Sequence, residues 1–489
     1  MHVRPVFLAG LWALFLATVP ASSFATEPPQ RGIENEPEAT DQSGGRPENL
    51  ASEADEPVRS ASDRRAGAAR PDIVLIVADD LGWGDLSCYG AEDIRSPNLD
   101  RLAEQGQRWT HFYANCCVCS PTRASILTGC YPDRVGVPGV IRTHAENSWG
   151  KLTPGVPTLP GLLSDAGYQT AAVGKWHLGL EAGDHPLDRG FDFFQGFLGD
   201  MMDDYFNHLR HGNNYMRYNR RQINPAGHAT SLFAQWACNA VNRMAAEDRP
   251  YFLYLAFNAP HTPIQPPAQA LQAVQQRLPG LTAKRARLVA LIEDLDAAVG
   301  RVLSAISATR RDTIVVFVSD NGGDLNAGAN NGPLRHGKGS KYEGGLRVPA
   351  IFHWPGHIAG GQTCTAVGVT MDLLPTLCSI AGADCPDSID GMPLNRWLAD
   401  AQAASPPREI YFVRREGGMA YCGLTIEALR HGDWKLVHNL PTQQFELFDL
   451  AADPLEQHDR AAAAPQRLRE LKSLLMRHIQ AGGRVPWQP

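Results

Sequence analysis

The segment Cys119-Ser120-Pro121-Thr122-Arg123 sets a thiol four residues ahead of a guanidinium, with a proline suited to the first turn of a helix between them. Ala124-Ser125-Ile126-Leu127 continues as helix and Thr128-Gly129 closes it, so Cys119 is predicted at a helix N-terminus. Backbone N–H groups and the helix dipole at that position favour anions and are expected to lower the thiol pKa. A reactive sulfur is one reading. An ordinary disulfide cysteine is the other, and a solitary C-x-P-x-R does not separate them.

Further polar clusters bear on the choice. The apolar run Ile73-Val74-Leu75-Ile76-Val77-Ala78 ends in Asp79-Asp80, and Ile314-Val315-Val316-Phe317-Val318 ends in Ser319-Asp320-Asn321-Gly322-Gly323. Ligands of open α/β sheets bind beyond the carboxyl ends of strands, so these segments could share one rim. Three Asp and one Asn supply the hard oxygens that Ca²⁺ or Mg²⁺ accepts, although each cluster alone also reads as ordinary turn and cap residues. Lys175 and His177 follow a strand in Gly174-Lys175-Trp176-His177-Leu178-Gly179. His261 follows another in Asn258-Ala259-Pro260-His261-Thr262-Pro263, and Lys338 lies in Gly337-Lys338-Gly339. Singly, each is a solvated loop residue. Gathered with Arg123 around a divalent ion, they would make an electropositive pocket for a sulfate or phosphate ester.

Positioning these groups takes a large scaffold. The chain has 489 residues, 43% hydrophobic and 20% charged, enough for a substantial core. Thr170-Ala171-Ala172-Val173 and Tyr251-Phe252-Leu253-Tyr254-Leu255-Ala256 join the two runs above as buried strands of a mostly parallel sheet. Leu288 to Ile306 keeps helical spacing, and the architecture is α/β with covered sheet faces. Met1–Ala25 has a short basic start, an apolar stretch and small residues at Ser23 and Ala25, which predicts a signal peptide and export; a membrane anchor is the competing reading, against which the apolar stretch is short for a spanning helix. Residues 26–70 hold ten acids against six bases and few large apolar side chains, and read as a disordered acidic linker. No later segment could span a bilayer. The net charge of −7 gives no electrostatic case for nucleic acid. Ten cysteines leave disulfides possible rather than implied.

From Asp72 to about Asp459 the chain resembles the type I, formylglycine-dependent sulfatases of the alkaline-phosphatase superfamily. The resemblance rests on Asp79-Asp80-Leu81-Gly82-Trp83-Gly84-Asp85, Ser96-Pro97-Asn98-Leu99-Asp100, Cys119 to Gly129, Gly174 to Gly179, Pro260-His261-Thr262-Pro263, Ser319 to Gly323 and Gly337 to Pro349. Gly432-Asp433-Trp434-Lys435-Leu436, Glu446-Leu447-Phe448-Asp449-Leu450 and Asp453-Pro454-Leu455-Glu456 look like that family's C-terminal subdomain. Thr122 replaces the commoner Ser of the cysteine motif.

The resemblance implies a large, mostly parallel sheet sandwiched by helices over 71–395, with a smaller α+β subdomain over 396–489. It implies that a formylglycine-generating enzyme oxidises Cys119 to formylglycine, whose aldehyde hydrate is the nucleophile. Asp79, Asp80, Asp320, Asn321 and the modified Cys119 would ligate Ca²⁺ in preference to Mg²⁺. Arg123 and Lys175 would hold the formylglycine oxygens and His177 would act as base, while His261 and Lys338 would bind sulfate and serve the leaving oxygen. The expected substrate is a sulfated carbohydrate or aryl sulfate. Asn331-Gly332-Pro333 leans toward the N-acetylgalactosamine-6-sulfatases. Gly199 to His208 and His211 to Arg221 are expected to border the pocket. The alternatives are a phosphonate or phosphate monoester hydrolase of the same superfamily, or a non-catalytic relative that binds sulfated glycans.

Overall fold

Each apolar run read above is a strand, buried along its whole length in a computed structural model that describes residues 70–417, 425–439, 442 and 444–485. The expected signal segment, nearly all of the acidic linker and Cys422 lie outside the described residues. In chain order the strands of the main sheet are β1 (Asp72–Ala78), β2 (Gln107–Tyr113), β3 (Gln169–Lys175), β4 (Phe193–Phe197), β5 (Met216–Tyr218) and β6 (Arg221–Gln222). They continue with β7 (Tyr251–Ala256), β8 (Thr313–Ser319), β9 (Arg347–His353), β10 (Gln362–Cys364) and β11 (Gly368–Val369). The spatial order is β10-β2-β9-β8-β1-β7-β3-β4-β5-β6, with β11 also on β2. The block β8-β1-β7-β3-β4 is parallel. Antiparallel pairs flank it at β8–β9 and β4–β5.

Alternation along β1 divides the core in two. Val74, Ile76 and Ala78 face one cluster, with side chains from α1 (Pro97–Gln105), α4 (Ala229–Ala245), α5 (Ala268–Arg277) and α6 (Ala283–Thr309). Ile73, Leu75 and Val77 face the other, with α2 (Cys119–Thr128), α3 (Leu159–Asp165) and α7 (Leu373–Ala381). Both faces are covered, so the central strands read as unbroken apolar runs. The helix expected over 288–306 starts earlier, because the Thr282 hydroxyl accepts from the Arg285 amide and caps it.

A separate antiparallel sheet follows, formed by β12 (Glu409–Arg415), β13 (Thr425–His431), β14 (Trp434–Asn439) and β15 (Gln444–Asp449). Leu471 and Leu475 of the helix Pro465–Gly482 pack into its core. Among the described residues all nine cysteines are free. No described helix is long and apolar enough to cross a membrane.

Candidate active site

Register brings the acidic strand ends together. β1 and β8 are neighbours with Ala78 opposite Ser319, so the residues that follow each strand emerge side by side. The Asp320 amide donates to Ala78 O (3.1 Å), the Asp80 amide to Asp320 Oδ1 (3.2 Å) and the Leu81 amide to Ser319 Oγ (3.1 Å). Asp80 and His177 hold φ of +67° and +61°, a left-handed backbone that costs a non-glycine residue energy and collects at functional sites. Gly322 admits no side chain, since a Cβ there would lie 1.9 Å from Gly344 O; this close approach seats the Asp320-Asn321 turn against the glycines beyond Lys338.

Helix α2 enters from the opposite sheet face. Cys119 is its first residue, after the extended Val118. Thr122 Oγ1 accepts from the Cys116 amide (3.1 Å) and donates to Cys116 O (3.0 Å), fixing the approach to the helix. Ser120 Oγ accepts from the Ile141 amide (3.1 Å), which fastens the loop beside it.

The predicted site residues converge. Cys119 Sγ donates to Asp79 Oδ1 (3.3 Å), and Lys175 Nζ donates to Asp79 Oδ2 (2.6 Å). Arg123 Nε donates to Asp320 Oδ2 (3.0 Å), with a second guanidinium nitrogen 3.6 Å from Asp79 Oδ1. Lys338 Nζ donates to Asp80 Oδ2 (2.7 Å) and to His261 Nε2 (2.9 Å). Asn321 Nδ2 donates to Asp80 Oδ1 (2.8 Å). Asp79, Asp320, Asn321 and Arg123 are fully buried; the Lys338 side chain is 21% exposed.

Each histidine has a definable tautomer. His177 Nε2 lies 2.8 Å from Ile141 O, which can only accept, so Nε2 carries the proton and the buried Nδ1 is a bare lone pair without a partner. Burial, then Lys175 and Arg123, holds His177 well below the usual imidazole range, so it is neutral. His261 Nδ1 donates to Thr262 O (2.6 Å), which leaves Nε2 to accept from Lys338. Burial lowers His261 against the pull of Asp80, with Lys338 adding to the fall.

One expectation is reversed. Burial raises the Cys119 thiol well above its usual value; Lys175 and Lys338 pull it down, while Asp79 and Asp320 push it further up. Desolvation outweighs the helix N-terminus here, and Cys119 as encoded is a protonated thiol rather than a thiolate. Burial also opposes ionisation of Asp79, yet Lys175, His261, Arg123 and Lys338 together hold it well below the ordinary carboxylate range. Burial and then the Asp79 charge raise Asp320 to about 7, despite Arg123 and Lys175.

The donor set suits a hard cation. Asp79, Asp80, Cys119 and His261 offer ligand atoms all within 4.8 Å of one another, and Asp320 and Asn321 adjoin them through the bonds above. Asn321 Oδ1 is buried without a hydrogen-bond partner, an orphaned acceptor that a cation would satisfy.

Of the two segments expected at the rim, one half reaches it. The Tyr205 hydroxyl lies 2.7 Å from Asn258 O and 2.8 Å from His261 O, which ties the insert 199–208 to the His261 loop. His211 to Arg221 instead runs down the sheet edge: Met216 pairs with Phe197 and Tyr218 with Gln195, so its later residues leave the strand ends. The positioning role of Tyr205 was not legible in sequence; its nearest signal was the polar run around it. The same holds for Lys435, 92 residues from its partner Glu343.

The Sulfatase family matches residues 71–383, and the C-terminal part of N-sulphoglucosamine sulphohydrolase matches residues 336–481. The chain belongs to the sulfatase family. Its enzyme class is that of the sulfuric ester hydrolases, and its α/β sheet is the alkaline-phosphatase-like fold of that family. It is 35% identical to N-acetylgalactosamine-6-sulfatase of Mus musculus over 414 residues, covering 79% of this chain and 76% of that protein. It is 34% identical to arylsulfatase A of Homo sapiens over 482 residues, covering 87% and 90%. Among solved structures, Ps i-CgsB in complex with k-i-k-neocarrahexaose superimposes with a TM-score of 0.78 at 31% identity, covering 84% of this chain and 93% of that one.

Proposed function

We propose that this sulfatase hydrolyses sulfate esters of a sulfated carbohydrate, with Cys119 converted to formylglycine and a Ca²⁺ ion held by Asp79, Asp80, Asp320 and Asn321. The observation that carries the proposal is the convergence of Cys119 with three buried carboxylates and Arg123, Lys175, His261 and Lys338. A buried, protonated thiol bonded to a carboxylate is a poor nucleophile, so residue 119 has a reason to act in altered form. The formylglycine hydrate would supply a hydroxyl nucleophile, and Ca²⁺ would supply charge neutralisation for the sulfate oxygens.

The chain's own residues account for the rest. Lys175 and Arg123 both lie against Asp79, the carboxylate that accepts from Cys119 Sγ, and would hold the hydrate's oxygens while offsetting charge. The bare Nδ1 of His177 takes a proton, which its neutrality permits. Lys338, charged and hydrogen-bonded to His261 Nε2, offers a proton to the leaving alcohol. Export through the segment Met1–Ala25, and maturation by a formylglycine-generating enzyme, belong to the same proposal.

The test compares turnover of an aryl sulfate with that of the matching phosphate and phosphonate, alongside a mass spectrum of the tryptic peptide containing Cys119. Sulfate should be preferred and the peptide should carry an aldehyde. An unmodified cysteine in fully active protein, or a large excess of rate on phosphorus, would overturn the proposal.

A further inference from the structure

Against the His261 loop lies a buried histidine that the chemistry above does not use. His228 immediately precedes α4 and is 6% exposed. Its Nε2 lies 2.9 Å from Gln265 O, which can only accept, so Nε2 carries a proton and donates it. Gln265 stands in the same loop as His261; its Oε1 accepts from the Tyr205 amide (2.8 Å) and its Nε2 donates to Asp204 Oδ2 (3.0 Å). The His228 ring stacks on Tyr205, with centroids 5.1 Å apart and planes 27° from parallel. The Ala229 amide donates to Tyr205 O (2.9 Å), and the Tyr205 hydroxyl reaches Asn258 O and His261 O as described above.

The other ring nitrogen faces α6. His228 Nδ1 lies 3.5 Å from Asp294 Oδ2, and each of these two buried atoms lacks a hydrogen-bond partner. With Nε2 committed as donor, a neutral ring would turn the bare lone pair of Nδ1 toward a carboxylate oxygen, two acceptors with nothing to share. One proton held between them removes the conflict, whether it rests on the imidazole or on the carboxyl. Burial raises Asp294 above the ordinary carboxylate range, against the pull of His228 and then of Arg301. His228 is thus the point where the insert, the His261 loop, α4 and α6 meet.

We propose that His228, held by one proton shared with Asp294, is a positioning residue that fixes Tyr205 and, through it, the His261–Lys338 pair at the leaving oxygen. The inference rests on the proposed roles of His261 and Lys338 and adds a support that touches neither substrate nor metal. The path runs from Asp294 through His228 to Tyr205 and Gln265, then to His261, whose Nε2 accepts from Lys338. Its effect falls on cleavage of the ester bond. An alkoxide leaving group needs the proton that Lys338 offers, whereas a nitrophenolate departs without one. Loosening the support therefore slows an alkyl sulfate more than a nitrophenyl sulfate.

The test measures kcat and KM of the full chain on nitrophenyl sulfate and on a monosaccharide sulfate, an alkyl ester. His228→Leu should lower kcat on the alkyl ester by about tenfold or more, and on nitrophenyl sulfate by less than about threefold. Tyr205→Phe should show the same preference and carries the comparison if His228→Leu does not fold. The two changes combined should cost little more than the larger alone, since they act along one path. Asp294→Leu should resemble His228→Leu. Asp294→Asn, whose amide can donate to Nδ1, should keep most of the alkyl rate. Equal losses on both esters, an unchanged alkyl rate in His228→Leu and Tyr205→Phe, or Asp294→Asn no better than Asp294→Leu would each overturn the proposal. Absence of any sulfate ester turnover in the wild-type chain would sink the sulfatase reading instead. Nuclear magnetic resonance then decides the positioning: the His261 Nδ1 proton, assigned by its loss in His261→Gln, should shift in Tyr205→Phe and Asp294→Leu and stay near its wild-type position in Asp294→Asn. A resonance unmoved in all three variants refutes it.

Discussion

Lys435 holds the Lys338 loop to the C-terminal sheet, and its replacement tests that attachment. Its fully buried ammonium lies 2.9 Å from both Glu343 Oε1 and Glu456 Oε1, and Glu456 Oε2 also accepts from the Glu343 amide at 2.6 Å. Tyr113 adds a hydroxyl to Glu343 Oε2 (2.6 Å). Lys435→Met keeps the apolar stem but leaves two carboxylates facing each other without a cation between them. Removing one partner of a buried ion pair costs ~3–5 kcal/mol, a large share of the ~5–15 kcal/mol that typically holds a domain folded. The pH dependence should change sign as well. Burial opposes the charged form of Glu343, but Lys435, Arg430 and Arg347 hold it at about 2, so its contribution is present above the ordinary carboxylate range and is lost as pH falls toward 2. In the variant one carboxyl keeps its proton when folded, so stability is greatest in acid and declines as pH rises. Urea unfolding at about pH 5 and about pH 8 should show the larger loss at the higher pH, and the added change Glu456→Gln should recover about half or more. A loss below ~1 kcal/mol, or one independent of pH, would refute the reasoning.

Two further outcomes follow from the same physics. Burial, then Arg347 and Arg430, holds His111 at about 4. It folds neutral, so its contribution is present above the unfolded value near 6.5 and is lost as pH falls toward 4. Discounted for partial exposure, His111→Gln should flatten the acid limb of a urea-stability profile by on the order of 2 kcal/mol, and an unchanged limb would count against the assignment. Thr122→Ala strips both hydrogen bonds from Cys116 and should cost about 1–3 kcal/mol in the same assay, with Thr122→Ser close to wild type.

The site was legible where chemistry sits at the end of an apolar run. Asp79, Asp80, Asp320 and Lys175 each terminate or follow a buried strand, and parallel pairing of those strands leaves them no choice but to meet. Cys119 and Arg123 were legible because a proline and a helical run fixed their helix. The thiol's protonation was not, because helix position is local while the burial that decides it comes from the packing of distant segments. Glu343 and Lys435 form their pair only through docking of a second sheet, and no spacing records that. The edge strands β5 and β6 are too short for periodicity to register, which is why His211 to Arg221 read as a polar rim.

Every residue of α2, Cys119 through Thr128, is buried, and Thr122 fastens its first turn to the chain before it. Once this helix is packed, no other protein can grip the cysteine segment. On the proposed chemistry, installation of the aldehyde therefore belongs to the interval between synthesis and collapse of the chain. A molecule that folds with its thiol intact has missed its only opportunity, and the active fraction of a preparation becomes a record of which event came first.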